Sequence, residues 1–162
     1  MTISRKKKIA LALLFPFMSM LLTSCGAGLN APTTMIKQVT DGAEIDAGKV
    51  KVRHLLVVAQ IDGSGTLVGT IVNTGEESDD IVAIGINGQS TTFSGVNALA
   101  SNTPVIFEGP RANARVTIPV LGASIGSTVP VEIRFGKSGA IRVDVLVRER
   151  SGEFADVGAV TK

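Results

Sequence analysis

The chain has 162 residues, with 16 Lys and Arg against 14 Asp and Glu, one His, one Cys, no Trp and no Tyr. Four of the cations fall at positions 5–8, so residues 25–162 carry 12 basic and 14 acidic side chains and a formal charge of −2. That balance lacks the basic footprint of a nucleic-acid binder, the absent Trp and Tyr argue against stacking platforms and aromatic interface anchors, and a single cysteine allows no internal disulfide.

Arg5-Lys6-Lys7-Lys8 are followed by an uncharged run of 14 residues, Ile9–Leu22, in which only Pro16 and Ser19 depart from apolar character. Thr23-Ser24-Cys25-Gly26 come next. A cationic segment, a short apolar segment and small residues at a cleavage point compose a secretory signal. The apolar run falls short of the roughly 20 residues that cross a hydrocarbon layer, and Pro16 opposes an unbroken helix. Leu22-Thr23-Ser24-Cys25 resembles the bacterial lipobox. The resemblance implies removal of residues 1–24 and acylation of the Cys25 thiol, with membrane lipid as partner. Each buried methylene of the acyl chains contributes about 0.8 kcal/mol to membrane attachment. The expected location is the cell membrane, on its extracytoplasmic face.

Residues 25–42 read as the lipidated N-terminus and a flexible tether, small and polar around Pro32. Beyond it, β-branched runs alternate with turn signals, and no amphipathic helical period emerges. The expected strands are Val50–Ala59, Gly65–Asn73, Ile81–Asn87, Ser90–Phe93, Val105–Glu108, Arg115–Val120, Val129–Phe135 and Ala140–Arg148. Asp62-Gly63 and Asn87-Gly88 are hairpin signals because both pairs tolerate positive φ. In the last hairpin Val131, Ile133 and Phe135 alternate with Glu132 and Arg134. Past Gly136-Lys137-Ser138-Gly139, Ile141, Val143, Val145 and Val147 form the second apolar row. One buried face and one charged face suit an antiparallel sheet packed on one side. The expectation is an all-β domain over 43–150, an antiparallel Ig-like or cupredoxin-like β-sandwich of seven to eight strands, with a C-terminal tail at 151–162.

Val52-Arg53-His54-Leu55-Leu56-Val57-Val58-Ala59 and Gly63-Ser64-Gly65-Thr66-Leu67-Val68-Gly69-Thr70-Ile71-Val72-Asn73 resemble the small actinobacterial lipoproteins of the LpqE type. Those are distantly similar to periplasmic copper(I) chaperones with a cupredoxin-like or Ig-like sandwich. The resemblance therefore implies an envelope location, a β-sandwich and a distant tie to copper.

Copper(I) favours thioether, thiolate and imidazole ligands, and the copper chaperones carry a spaced set of His and Met. Here the segment after the signal has one His, His54, and one Met, Met35, the latter in the tether. These two are the metal candidates, and they do not amount to a closed site; no cofactor is expected. No catalytic residue is assigned either. A Ser-His-Asp arrangement needs a base held against a hydroxyl, and His54 is the one imidazole in the sequence. Glu76-Glu77-Ser78-Asp79-Asp80 could offer oxygens to calcium, without EF-hand spacing, and otherwise reads as a solvated turn. Gly63-x-Gly65-x-x-x-Gly69 precedes strand rather than helix, so it reads as a turn and bulge rather than a dinucleotide fingerprint. Arg134, Arg142, Arg148 and Arg150 are interspersed with Glu132, Asp144 and Glu149, which reads as a mixed, solvated face or a contact for anionic headgroups or cell-wall polymer. The expected function is a non-enzymatic, membrane-anchored binding or adapter domain. Its ligand is unassigned, its partner an envelope protein or cell-wall component, and nucleic acid is not among them. The alternatives are a copper or metal chaperone accessory and, third, a hydrolytic enzyme.

Overall fold

The computed structural model describes residues 41–158. The signal segment 1–24, Cys25, nearly all of the expected tether with Met35, and residues 159–162 lie outside the described residues. The strands are β1 (Ala43–Ala47), β2 (Val50–Ala59), β3 (Gly65–Asn73), β4 (Asp79–Ile86), β5 (Gln89–Ser90), β6 (Thr92–Gly95), β7 (Ala98–Leu99), β8 (Pro104–Ile106), β9 (Ala114–Ile118), β10 (Thr128–Phe135) and β11 (Ala140–Glu149). A 3-10 turn at Gly152–Phe154 follows. No helix among the described residues is long and apolar enough to cross a membrane.

β2 and β3, rich in Val, Ile and Leu, run antiparallel from Val50↔Asn73 to Ala59↔Gly65. Their turn holds Gly63 at φ +82°, and the Asp62 carboxylate accepts hydrogen bonds from the Ser64 N–H and hydroxyl at 3.0 and 2.6 Å. Asn87 and Gly88, at φ +52° and +74°, close the two-residue turn that pairs Ile86 with Gln89. Positive φ at both central positions defines the type I′ turn that these residue types favour.

The hydrogen-bonded path runs β5-β4-β10-β11-β2-β3-β9-β6, with β1 on β2, β7 on β4 and β8 on β3. All of these pairings are antiparallel except one. The last residues of β11 run parallel to β2, with Val147 opposite Val57 and Glu149 opposite Ala59. The path ends, β5 and β6, are separated in the chain by Thr91 alone, so the sheet comes near to closing into a barrel. The all-β class stands. The sandwich-like β architecture stands too, but where seven or eight antiparallel strands were expected the described residues form eleven in a mixed sheet. β1 and β7 escaped the sequence reading because alanine-rich stretches lack the β-branched residues that mark strands. Ser90–Phe93 divides at Thr91 into β5 and β6. The parallel join escaped it because alternation shows which face is buried and carries no record of the neighbouring strand.

The main core collects Leu55, Val57, Ile71, Phe107, Val131 and Val145 among others. A second cluster lies elsewhere: Leu56 and Val58 pack with Phe154 and Val157, with Val68 beside them. Successive strand residues point to opposite faces, so β2 is covered on both sides, and its unbroken Leu55–Val58 run is the pattern expected of such a strand. The described part of the segment read as a tail, residues 151–158, supplies that cover. Arg148 lies 5.8 Å from the centre of the Phe154 ring, and the Arg150 Nε donates to the Ala155 carbonyl at 2.9 Å.

Candidate functional site

A cleft of about 810 Å³ opens between the β8–β9 connection and the C-terminal turn. Its volume lies in the range of about 300–1,000 Å³ typical of small-molecule sites. One wall begins at Phe107, whose side chain is fully buried and meets Phe93 edge-on at 6.3 Å between ring centres. The next residue, Glu108, turns into the cleft lining. Gly109 follows at φ +104°, a conformation that a side chain would strain, and the Ala112 N–H donates to its carbonyl at 3.0 Å. Asn113 holds the loop closed: its Oδ1 accepts from the Ile106 N–H at 2.8 Å and its Nδ2 donates to the Pro104 carbonyl at 3.0 Å. Along the same wall β6 approaches β9 so closely that a Cβ on Gly95 would collide with the Asn113 carbonyl oxygen and the Ala114 Cα.

The charges are unbalanced. Glu108, Glu153 and Asp156 contribute three carboxylates to the lining, and Arg115 one guanidinium. The Glu108 side chain is only 7% exposed, and its Oε1 stands 3.3 Å from the Arg115 Nε. That contact is an ion pair without hydrogen-bond alignment, for Oε1 is buried with no hydrogen-bond partner. The buried Glu108 charge is thus held by the Arg115 guanidinium as an ion pair. Glu153 and Asp156 reach the cleft because Phe154 and Val157, between and beside them, are drawn into the second cluster.

None of these four residues stood out in the sequence. Glu108 follows Val105-Ile106-Phe107 and precedes Gly109-Pro110, a context that reads as a strand end meeting a solvated turn. Glu153 and Asp156 fell in the segment taken for a tail. The available signal was the apolar pair Phe154 and Val157, which a free tail has no reason to carry.

The residues named from the sequence are not brought together. His54 occupies a bulge of β2, at φ +54°, where the register against β3 shifts between Arg53 and Leu56. Gly69, facing the bulge, is so close to the Arg53 and His54 carbonyl oxygens that a Cβ there would press on them. The imidazole is half-buried against Gly42, where a Cβ would collide with the His54 backbone and its Nδ1. His54 is not part of the cleft lining. The described residues include no Met or Cys, so they lack the soft donors that copper(I) prefers, and Met35, Cys25, Leu22, Thr23 and Ser24 lie outside them.

In the acidic run, Asp79 is buried and its oxygens accept from the backbone N–H groups of Asp80, Lys137 and Ser138 at 2.8–2.9 Å. Glu77 faces the Lys137 ammonium at 3.3 Å. The run is thus tied to the β10–β11 turn, and no group of three His, Cys, Asp or Glu side chains among the described residues converges as a metal site. The arginines also divide. Arg142 opposes Glu132 across β10–β11, while Arg148 pairs with Asp41 at 3.1 Å and Arg150 braces the C-terminal turn.

No family model matches the chain, and no curated protein does. Among solved structures, the fold is similar to the apo PCuAC domain from PmoF1, at 21% identity and a TM-score of 0.58, over 66% of this chain and 99% of that one. It is also similar to the copper-bound PCuAC domain from PmoF2, at 20% identity and a TM-score of 0.57, over 66% of this chain and 98% of that one. At such identity the likeness is one of fold.

Proposed function

We propose that this chain is a non-enzymatic envelope lipoprotein, anchored through Cys25, whose PCuAC-like β-domain binds a ligand in the cleft beside Glu108. The observation that carries the reading is the open cleft of about 810 Å³, walled by the Glu108–Arg115 ion pair on one side and by Glu153 and Asp156 on the other. The runs Val52–Ala59 and Gly63–Asn73 support the finer assignment to lipoproteins of the LpqE type. Amide chemical-shift mapping of the purified chain in neutral detergent, against a panel of envelope-derived fragments, tests the reading. Saturable shifts centred on Gly95, Gly109, Asn113 and Val157 are expected. A panel that leaves these amides unmoved sinks it.

A second reading, copper carriage, draws on the fold likeness to a copper-bound domain and on the strained backbone of His54. The donor set among the described residues does not fit copper(I), since one imidazole stands there without thioether or thiolate. A competition titration with a chromogenic copper(I) chelator decides between the readings. Sub-micromolar retention of copper, lost in His54→Ala, would restore copper as cargo.

A further inference from the structure

We infer that the domain rests end-on against the bilayer, with Ile61, Val120 and Ile125 dipping into the lipid headgroup layer. The inference rests on the anchoring at Cys25 proposed above and names the surface that the anchor brings to the membrane.

β2, β4, β9 and β11 finish at one end of the domain, and β3, β5 and β10 begin there, so the loops 60–64, 87–88 and 119–127 share that end. The Leu121 N–H donates to the Gly63 carbonyl at 3.0 Å and the Gly126 N–H to the Val147 carbonyl at 2.8 Å. The Asn87 Nδ2 donates to the Leu121 carbonyl at 3.1 Å. These bonds hold the three loops side by side. Turn tips are normally polar, and apolar side chains scattered singly over a surface are ordinary. Here Ile61 is 97% exposed, Val120 61% and Ile125 58%, and all three sit on adjoining loops. Asp62 is the one charged residue in these loops, and its carboxylate is engaged by Ser64. The other end of the same strands is highly charged, with Lys49, Glu76, Glu77, Asp80 and Lys137 gathered about the β1–β2 and β10–β11 turns.

The chain enters the domain near the apolar end. β1 runs antiparallel to β2, so tracing it back from Ala47 to Ala43 leads toward the close of β2. Asp41 then pairs with Arg148 at 3.1 Å. Arg148 lies opposite Val58 of β2 and lines a shallow hollow together with Ile125. Cys25 precedes Asp41 by 16 positions, a span of at most about 55 Å when fully extended. An acylated Cys25 keeps this end within that distance of the lipid, where a weak apolar contact becomes intramolecular and is favoured by effective concentration. A protein partner is the competing occupant. The loops carry no Trp, Tyr or Arg, the residues that dominate protein interfaces, whereas a bilayer takes up aliphatic tips in proportion to the apolar area buried.

The chain has no Trp, so a tryptophan introduced singly reports its own surroundings. The variants are Ile61→Trp, Ile125→Trp and, at the charged end, Lys137→Trp, all at exposed positions. Each full chain, purified with its acyl group, is reconstituted into vesicles of phosphatidylcholine and phosphatidylglycerol. Quenching by spin-labelled phosphatidylcholine is compared with quenching by aqueous iodide. Emission from Ile61→Trp and Ile125→Trp should shift to the blue, with lipid quenching at least twofold stronger than in Lys137→Trp and iodide quenching correspondingly weaker. Melting temperatures should match the parent. Equal quenching at all three positions, in protein that floats with the vesicles, overturns the inference and leaves the anchoring standing. Shielding of the Ile61→Trp probe in native membranes but not in pure-lipid vesicles overturns the lipid assignment in favour of a protein partner. A chain that carries no acyl group on Cys25 and does not float overturns both readings.

Discussion

Asp79 lies in an acidic run, yet its buried carboxylate serves the fold, caught between its own Asp80 N–H and the Lys137 and Ser138 N–H groups of the β10–β11 turn. Burial pushes its pKa up, and the hydrogen bond with Ser138 and those from the backbone outweigh it, so the carboxyl sits below its ordinary 3.8. A group whose folded pKa is depressed stabilises the fold above its unfolded pKa, and that stability drains away as pH falls through the folded value. Asp79→Asn keeps one acceptor and loses the charge. Its expected cost at pH 7 is about 2 kcal/mol, read by urea unfolding, and the gap to the parent should narrow as pH drops below about 4. His54 is the complementary case, in which the backbone rather than the side chain is demanding. At φ +54° a β-branched residue is strained by about 1–3 kcal/mol. His54→Val should therefore destabilise the domain by that order, and His54→Gly should leave the melting temperature nearly unchanged. Equal losses in both variants would show that the imidazole contacts matter more than the bulge.

At the scale of the element, β2 explains the C-terminal turn. Leu56 and Val58 are fully buried because Phe154 and Val157 lie over them. Phe154→Ala should cost about 3 kcal/mol, measured by denaturant unfolding, and should raise amide exchange in β2. A loss within a few tenths of a kcal/mol would mean that the turn does not cover the strand in solution. β2 and β3 were legible in the sequence to the residue, since a long β-branched run ending in a turn signal leaves little choice of boundary. β10 and β11 were nearly so, with Val131, Ile133 and Phe135 buried and Glu132 and Arg134 exposed as their alternation implies. Short elements were not legible. β1 is Ala-Glu-Ile-Asp-Ala, and β7 has two residues, so their strand character comes from the partners they pair with. Glu108 illustrates the same limit at the cleft. Its burial follows from Phe107 being anchored in the core and from Asn113 folding the loop back, and both are contacts with residues outside the local run.

At the scale of the described domain, the parallel joint of β11 to β2 decides how the strands connect. It links the antiparallel group built on β2 and β3 to the group built on β4 and β10. Without it the charged cleft would lack its second wall, because the C-terminal turn follows directly from β11. The proposed attachment is a property of the whole chain as well. Cys25→Ala should abolish incorporation of radiolabelled fatty acid and leave the precursor unprocessed. Normal cleavage with release of the domain would remove the anchor from the proposal. The sequence by itself determined the all-β class, the bounds of the long central strands, the hairpin turns at Asp62-Gly63 and Asn87-Gly88, and the scarcity of soft metal donors. These depend on composition and on preferences acting over a few neighbouring residues. The tertiary structure alone decided the parallel joint, the near-closure at Thr91, the burial of Asp79 and the meeting of Glu108 with Arg115, Glu153 and Asp156. Each of these depends on which distant segments share a surface, and a pattern of period two does not encode that.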